Sequence, residues 1–309
     1  VNTVNNDQVG SIIKFALQNC DKISFVSFQP VSFTGRDEDI TDEERHRKRY
    51  TLSHLAEDVK QQTGVTEPLR DWFPLSASSV FSDVTDLMQG PAADWGTLKC
   101  GCHPDCGIGM GFMVSKKTKE WAPVSAFLDI DQLLVDARVI ADAGRGRTLT
   151  AIQTGLSLLR NYSPLKAPRG LRLVDLVKKF DKQSGGQLGG RIGGCPEHER
   201  KNDEWLLLFV AGMWFQDLWT YDFRRTELCI IPYATQMGEI SFCAYNTGVG
   251  WRHVVEKIYQ NATAAEWYRE HGKHDVYANP RKSVPLPQTQ PVTLLVPRDG
   301  RLLPWLARS

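Results

Sequence analysis

Three cysteines fall within seven residues, in Cys100-Gly101-Cys102-His103-Pro104-Asp105-Cys106, and the run Gly107-Ile108-Gly109-Met110-Gly111 follows at once. Thiols packed this closely suit a metal better than a disulfide. Cys102 and Cys106 can reach one centre from a tight turn, which Pro104 and the glycines favour. A four-coordinate site then needs distant partners, and Cys229 and Cys243 are the natural pair. The segment 228–245 reads as strands broken at Gln236-Met237-Gly238, which predicts a hairpin with both cysteines on neighbouring strands. Cys229 lies further from that turn, so the pairing needs a bulge at Pro232 to bring the two opposite each other. Spacing alone fits a structural zinc and an iron–sulfur cluster equally well.

The other sulfurs read more plainly. Cys20 and Cys195 are expected to be small buried or incidental residues, and Cys100 has no role that spacing assigns. His103, beside two thiols, is expected to donate to a sulfur. The alternating glycines 107, 109 and 111 follow a cysteine loop and lack the full GxGxxG, so they are no nucleotide fingerprint. Seven cysteines, an odd count without an N-terminal signal peptide, argue against a secreted disulfide framework.

Of the 309 residues, 41% are hydrophobic and 24% charged, which is the composition of a globular chain. A net charge of +1 offers no sequence-wide field for nucleic acid. The longest apolar run, Trp205–Phe215, is well short of the ~20 residues a membrane helix needs. These features predict a cytoplasmic protein with no nucleic-acid partner and no transmembrane segment. Val at position 1 points to a C-terminal part of a longer protein.

Residues 1–60 have an α/β rhythm. Val1–Val4 reads as a strand end, Gln8–Asn19 as a helix and Ile23–Phe28 as a strand closed by the loop Gln29–Arg36. Thr41 is placed to cap a helix whose acids (Asp42, Glu43, Glu44) precede its bases, so the stretch to Arg49 reads as a solvated helix. Residues 61–125 are turn-rich. Ala126–Ala141, Thr148–Tyr162 and Leu171–Phe180 read as helices, Ser184–Gly194 as a flexible loop, and Trp205–Phe215 as a buried strand. The division expected is 1–60, 61–275 and a Pro-rich tail at 276–309.

Four ordered motifs carry a resemblance. Ser27-Phe28-Gln29-Pro30-Val31-Ser32-Phe33-Thr34-Gly35-Arg36, Asp71-Trp72-Phe73-Pro74-Leu75, Cys102-His103-Pro104-Asp105-Cys106 and Ser241-Phe242-Cys243-Ala244-Tyr245-Asn246 resemble a radical SAM family. It is the family of archaeal tetraether lipid synthase and the pterin-modifying radical methylases. The resemblance implies an α/β fold. Residues 1–60 would hold late strands of a partial TIM barrel, and an α+β auxiliary-cluster domain would follow.

It implies further that Cys102, Cys106, Cys229 and Cys243 hold an auxiliary [4Fe-4S] cluster. In such enzymes a 5′-deoxyadenosyl radical takes hydrogen from an unactivated carbon. The defining Cys-x3-Cys-x2-Cys loop for S-adenosylmethionine is absent from this chain, since Gly109 stands where the third cysteine would follow Cys106. By itself the chain is therefore not expected to cleave S-adenosylmethionine.

Asn5, Gln29, Ser32, Thr34 and Arg36 sit at expected strand ends, where barrel enzymes bind ligands, and the resemblance implies contact with the adenosyl group or substrate. Turn chemistry explains the same residues. The leading expectation is a lipid-chain substrate. A small pterin-like substrate stands second, and a non-catalytic protein stapled by a four-cysteine zinc site third. The first two imply an electron donor such as ferredoxin or flavodoxin. A lipid substrate also leaves room for contact with a membrane surface.

Overall fold

The computed structural model describes residues 1–34, 39–89, 99–177, 204–247 and 251–272. The expected strand at Val1–Val4 is instead a turn leading to a 3-10 turn at Asn6–Gln8. The Asn5 and Asn6 side chains accept from the Val1 and Thr3 nitrogens, local bonds of a kind that compete with strand pairing. Helix α1 (Val9–Gln18) buries Val9, Ile13, Ala16 and Leu17 along one stripe.

Strand β1 (Phe25–Phe28) follows, then α2 (Asp42–Lys48), where the Thr41 hydroxyl accepts from the Glu44 N–H at 3.2 Å. Helix α3 (Leu52–Thr63) starts in a Thr51/His54 capping box and stops at Gly64, whose φ of 76° is left-handed. The one-turn α4 (Pro68–Asp71), β2 (Phe73–Pro74) and α5 (Ser79–Gln89) complete the first half.

The segment read as a cysteine and glycine turn becomes, from Gly107 on, a central strand, β3 (Gly107–Ser115). With β4 (Trp121–Pro123) and β5 (Trp205–Met213) it builds one sheet in the order β1-β5-β3-β2, with β4 also on β3. β1 runs parallel to β5, from Phe25 opposite Phe209 to Phe28 opposite Gly212, and the other pairs are antiparallel. The glycines of β3 make room for side chains. A Cβ on Gly109 would stand 2.8 Å from both Leu75 Cδ2 and Phe209 Cζ.

Alternation then divides the core. Met110, Phe112, Leu206, Leu208 and Val210 pack with Val9, Ile13, Leu55 and Val59 of α1 and α3. Met113 and Trp205 pack on the other side with Phe127, Leu133 and Leu176. Helices α6 (Ile130–Ala143) and α7 (Arg147–Asn161) lie with α5 on that side and start within a few residues of the expected bounds.

Past β5 come α8 (Phe223–Glu227), the hairpin β6 (Pro232–Thr235) and β7 (Gly238–Ser241), then α9 (Phe242–Thr247). Helices α10 (Trp251–Tyr259) and α11 (Ala264–His271) end the described chain. Contacts divide it into Val1–Glu256 and Lys257–Ser309. Residues 1–60 therefore share a sheet and a unit with later strands. Ser184–Gly194, Cys195, Phe180 and the tail at 276–309 lie outside the described residues. Among those described, no helix is long and apolar enough to cross a membrane.

Candidate metal centre

The sheet collects the cysteines. β3 starts where β5 ends, Gly107 opposite Met213, and the Trp214 N–H extends the ladder by bonding the Cys106 carbonyl at 2.9 Å. The C-terminal ends of the parallel pair β1 and β5 lie here too. In open parallel sheets that is where ligands gather.

One cavity at this place is lined by Cys102, Cys106, Cys229 and Cys243 together with Met213, Trp214, Phe215, Arg225, Ile230 and Ile231. All four thiols singled out by spacing thus share one wall, and no carboxylate lines it. The enclosed space is small, about 20 Å3 within about 330 Å3 of atom-free volume.

Each cysteine is delivered by a local device. Pro104 opens a single 3-10 turn that ends at Cys106, whose N–H bonds the His103 carbonyl at 2.9 Å. His103 does not donate to a sulfur as expected: its Nδ1 accepts from the Asp105 N–H at 3.2 Å and caps the turn.

The hairpin forms at Gln236-Met237-Gly238, but neither later cysteine is on its strands. Cys229 precedes β6, and Cys243 sits in the first turn of α9, beyond β7. Pro232 is the first residue of β6 rather than a bulge. The two cysteines therefore flank the hairpin at its open end. The Phe242 N–H bonds the Ile231 carbonyl at 2.8 Å, and the Phe242 ring packs against Phe215 and Tyr233 at 4.3 and 5.2 Å. That contact ties α9 both to the entry of β6 and to the end of β5.

Cys102 and Cys243 are buried, whereas Cys106 and Cys229 are half-buried. Burial, reinforced by the neighbouring Cys100 and Cys106, pushes the Cys102 thiol up to about 12. Burial also raises Cys243, against the downward pull of the neighbouring Gln216 amides. Protonated buried thiols crowded together gain from a cation that takes them as thiolates. Among the described residues, no three His, Cys, Asp or Glu side chains are grouped to hold a single ion.

Sequence reasoning missed two residues here: Arg225 lines the cavity, and Gln216 is buried next in sequence to Phe215 of the lining. Arg225, on α8, is only 4% exposed, and its guanidinium bonds the Trp214 carbonyl through Nη2 and meets the Cys106 sulfur through Nε at 3.4 Å. Gln216 is fully buried: its Oε1 accepts from the Asp222 N–H, and its backbone and side-chain amides pull the Cys243 thiol down against its burial. Cys100 Sγ lies 3.3 Å from Cys102 Sγ, beside the cavity rather than in its lining.

The residues expected to bind cofactor are more dispersed. Asn5 is exposed, its side chain accepting from the Val1 amino group. Gln29 is exposed just past β1. Ser32 is half-buried and its hydroxyl donates to the Phe215 carbonyl, so it joins the loop after β1 to the strand end beside the thiols. Thr34 is half-buried two residues on, its N–H bonding the Ser32 carbonyl at 3.1 Å, and Arg36 lies outside the described residues.

The same loop is tied down further. Trp214 Nε1 donates to the Val31 carbonyl, and the fully buried Asp217 accepts from the Phe33 N–H and from Arg49. Arg49 thus turns inward from the end of the charged α2; Arg45, with 11% of its side chain exposed, stacks over Trp219, and Lys48 pairs with Glu44.

No family model matches the chain. It is similar to a protein of Methanocaldococcus jannaschii named 7,8-dihydro-6-hydroxymethylpterin dimethyltransferase, with 27% identity over 279 residues. The match takes in 88% of this chain and 51% of the relative, so the chain spans about half the length of the curated protein it matches.

Proposed function

We propose that this chain is the auxiliary-cluster part of a radical SAM methylase acting on a pterin or similar small molecule, with Cys102, Cys106, Cys229 and Cys243 as the ligands of a [4Fe-4S] cluster. The observation that carries the reading is the single carboxylate-free cavity lined by all four cysteines at the ends of β1 and β5. The relative's name supports the methylase branch, which the motifs ranked second to the lipid branch. Because the chain spans about half of that relative, we assign the S-adenosylmethionine loop to the remainder of the full protein.

When bound, such a cluster supplies one-electron chemistry at a tuned potential. The chain's residues position it and keep water away. Trp214 and Phe215 wall the cavity, and Phe242 packed on Phe215 braces it. The loop 29–34, pinned through Ser32 and Phe33, lies over the same strand ends and is the surface we assign to the adenosyl group or substrate.

A lipid-chain substrate is the second reading. The feature that suits it is an apolar cavity of about 200 Å3 among α5, α6 and α7, lined by Phe81, Met88, Leu133, Ile140 and Leu158. It shares no lining residue with the thiol cavity.

The test is iron, sulfide and zinc content with a visible spectrum, on protein purified without oxygen. About four iron and four sulfide per chain are expected, with loss in Cys229→Ser and Cys243→Ser and retention in Cys20→Ser and Cys195→Ser. One zinc without sulfide, or equal metal in all four variants, overturns the assignment.

A further inference from the structure

The thiol cavity contains a buried cation that, among the described residues, no carboxylate answers. Arg225 is 4% exposed, and its recorded partners are the Trp214 carbonyl, the Cys106 sulfur and the face of the Trp214 ring, 5.5 Å from the guanidinium carbon. A guanidinium held this way is costly unless an anion lies close by. The groups in reach that can become anionic are thiols.

Gln216 poses the same problem in neutral form. It is fully buried and its Oε1 is satisfied by the Asp222 N–H, yet Nε2 has no hydrogen-bond partner. That amide and the Gln216 backbone N–H both favour the charged form of the Cys243 sulfur against its burial. A neutral thiol is a weak acceptor and a thiolate a strong one, so an unmade buried bond becomes a made one when Cys243 is a metal ligand.

We infer that Arg225 and Gln216 are potential-setting residues: N–H donors to the Cys106 and Cys243 sulfurs that stabilise the more negative, reduced form of the cluster and so raise its reduction potential. The inference rests on the cluster reading proposed above and adds direction and residues to it. Both residues come from the segment 214–227, between β5 and the hairpin, so one stretch of chain serves two ligands carried by different elements. Hydrogen bonds to sulfur and local charge are established levers on iron–sulfur potentials.

The experiment is an EPR-monitored dithionite titration of the anaerobically loaded protein, with iron and sulfide measured on every sample. Wild type is compared with Arg225→Met, Arg225→Lys and Gln216→Glu. Gln216→Glu keeps the acceptor for the Asp222 N–H and replaces the donor by a negative oxygen. At unchanged cluster content, Arg225→Met and Gln216→Glu are each expected to shift the reduction equilibrium about tenfold towards the oxidised form, about 59 mV for one electron. Arg225→Lys, which keeps the charge but loses the fork, is expected to fall between.

Loaded variants whose midpoints match wild type overturn the tuning role while leaving the cluster standing. Wild type with zinc alone, or without metal, overturns the cluster reading and this inference with it. Should Arg225→Met fail to load, the midpoints of Arg225→Lys and Gln216→Glu decide.

Discussion

Asp217 is the residue whose replacement reports most directly on how the site is held. It is fully buried and its carboxylate accepts four bonds: from Arg49 Nη1 at 2.6 Å and Nη2 at 3.2 Å, from the Phe33 N–H at 3.1 Å and from the Thr220 hydroxyl at 3.0 Å. Asp217→Asn keeps the volume and one carbonyl oxygen, which can hold two of the four bonds, but Arg49 loses its counter-charge with only 16% of its side chain exposed.

Breaking one partner of a buried pair costs about 3–5 kcal/mol. Stacking of Arg49 on Phe33, 4.6 Å away, partly shelters the cation and favours the lower figure, about 3 kcal/mol. With a urea m-value of about 3 kcal/mol/M for a chain this size, the midpoint should fall by about 1 M. The assay is urea unfolding followed by tryptophan fluorescence, completed as a cycle with Arg49→Met and the double variant. The double variant should cost less than the sum of the singles by about 1–3 kcal/mol. A midpoint shift below about 0.3 M for Asp217→Asn, with additive singles, would refute the claim that this ion pair fastens the loop after β1 to the strand end beside the thiols.

Two further outcomes are expected. Gly109→Ala drives a methyl to 2.8 Å from both Leu75 Cδ2 and Phe209 Cζ, so it should destabilise by about 1–3 kcal/mol in thermal unfolding; a variant as stable as wild type would show that β3 has slack there. At Asp136, burial alone would raise the carboxyl, but bonds from Ser157, Gln132, Arg160 and Asn161 outweigh it and hold the group at about 2. A depressed carboxylate contributes stability that is present above its ordinary value near 3.8 and lost as pH falls through about 2. With Arg160 65% exposed and screened by solvent, that contribution is about 1–2 kcal/mol at neutral pH. Asp136→Asn should therefore flatten the loss of stability between pH 4 and 2, and an unchanged acid limb would count against the network.

Much of the local architecture was legible in the residues themselves. Helices α1, α6 and α7 and the strand β5 follow from apolar periodicity, and the start of α2 from the chemistry of Thr41. Cys102, Cys106, Cys229 and Cys243 could be grouped from spacing because short loops and a hairpin limit where a chain can go. The resemblance supplied the chemistry attached to them.

What periodicity could not show was decided at long range. Alternate glycines in β3 look like a loop until Leu75 and Phe209 fill the space above them. The parallel pairing of β1 with β5 joins residues more than 180 positions apart, so no local pattern marks it. Arg49 turns inward only because Asp217 waits there, and Arg225 becomes a donor to sulfur only once β5 delivers its end to the thiols. Local propensity is written in neighbouring residues. Burial, and the charge or hydrogen bond that must answer it, exists only where distant segments meet.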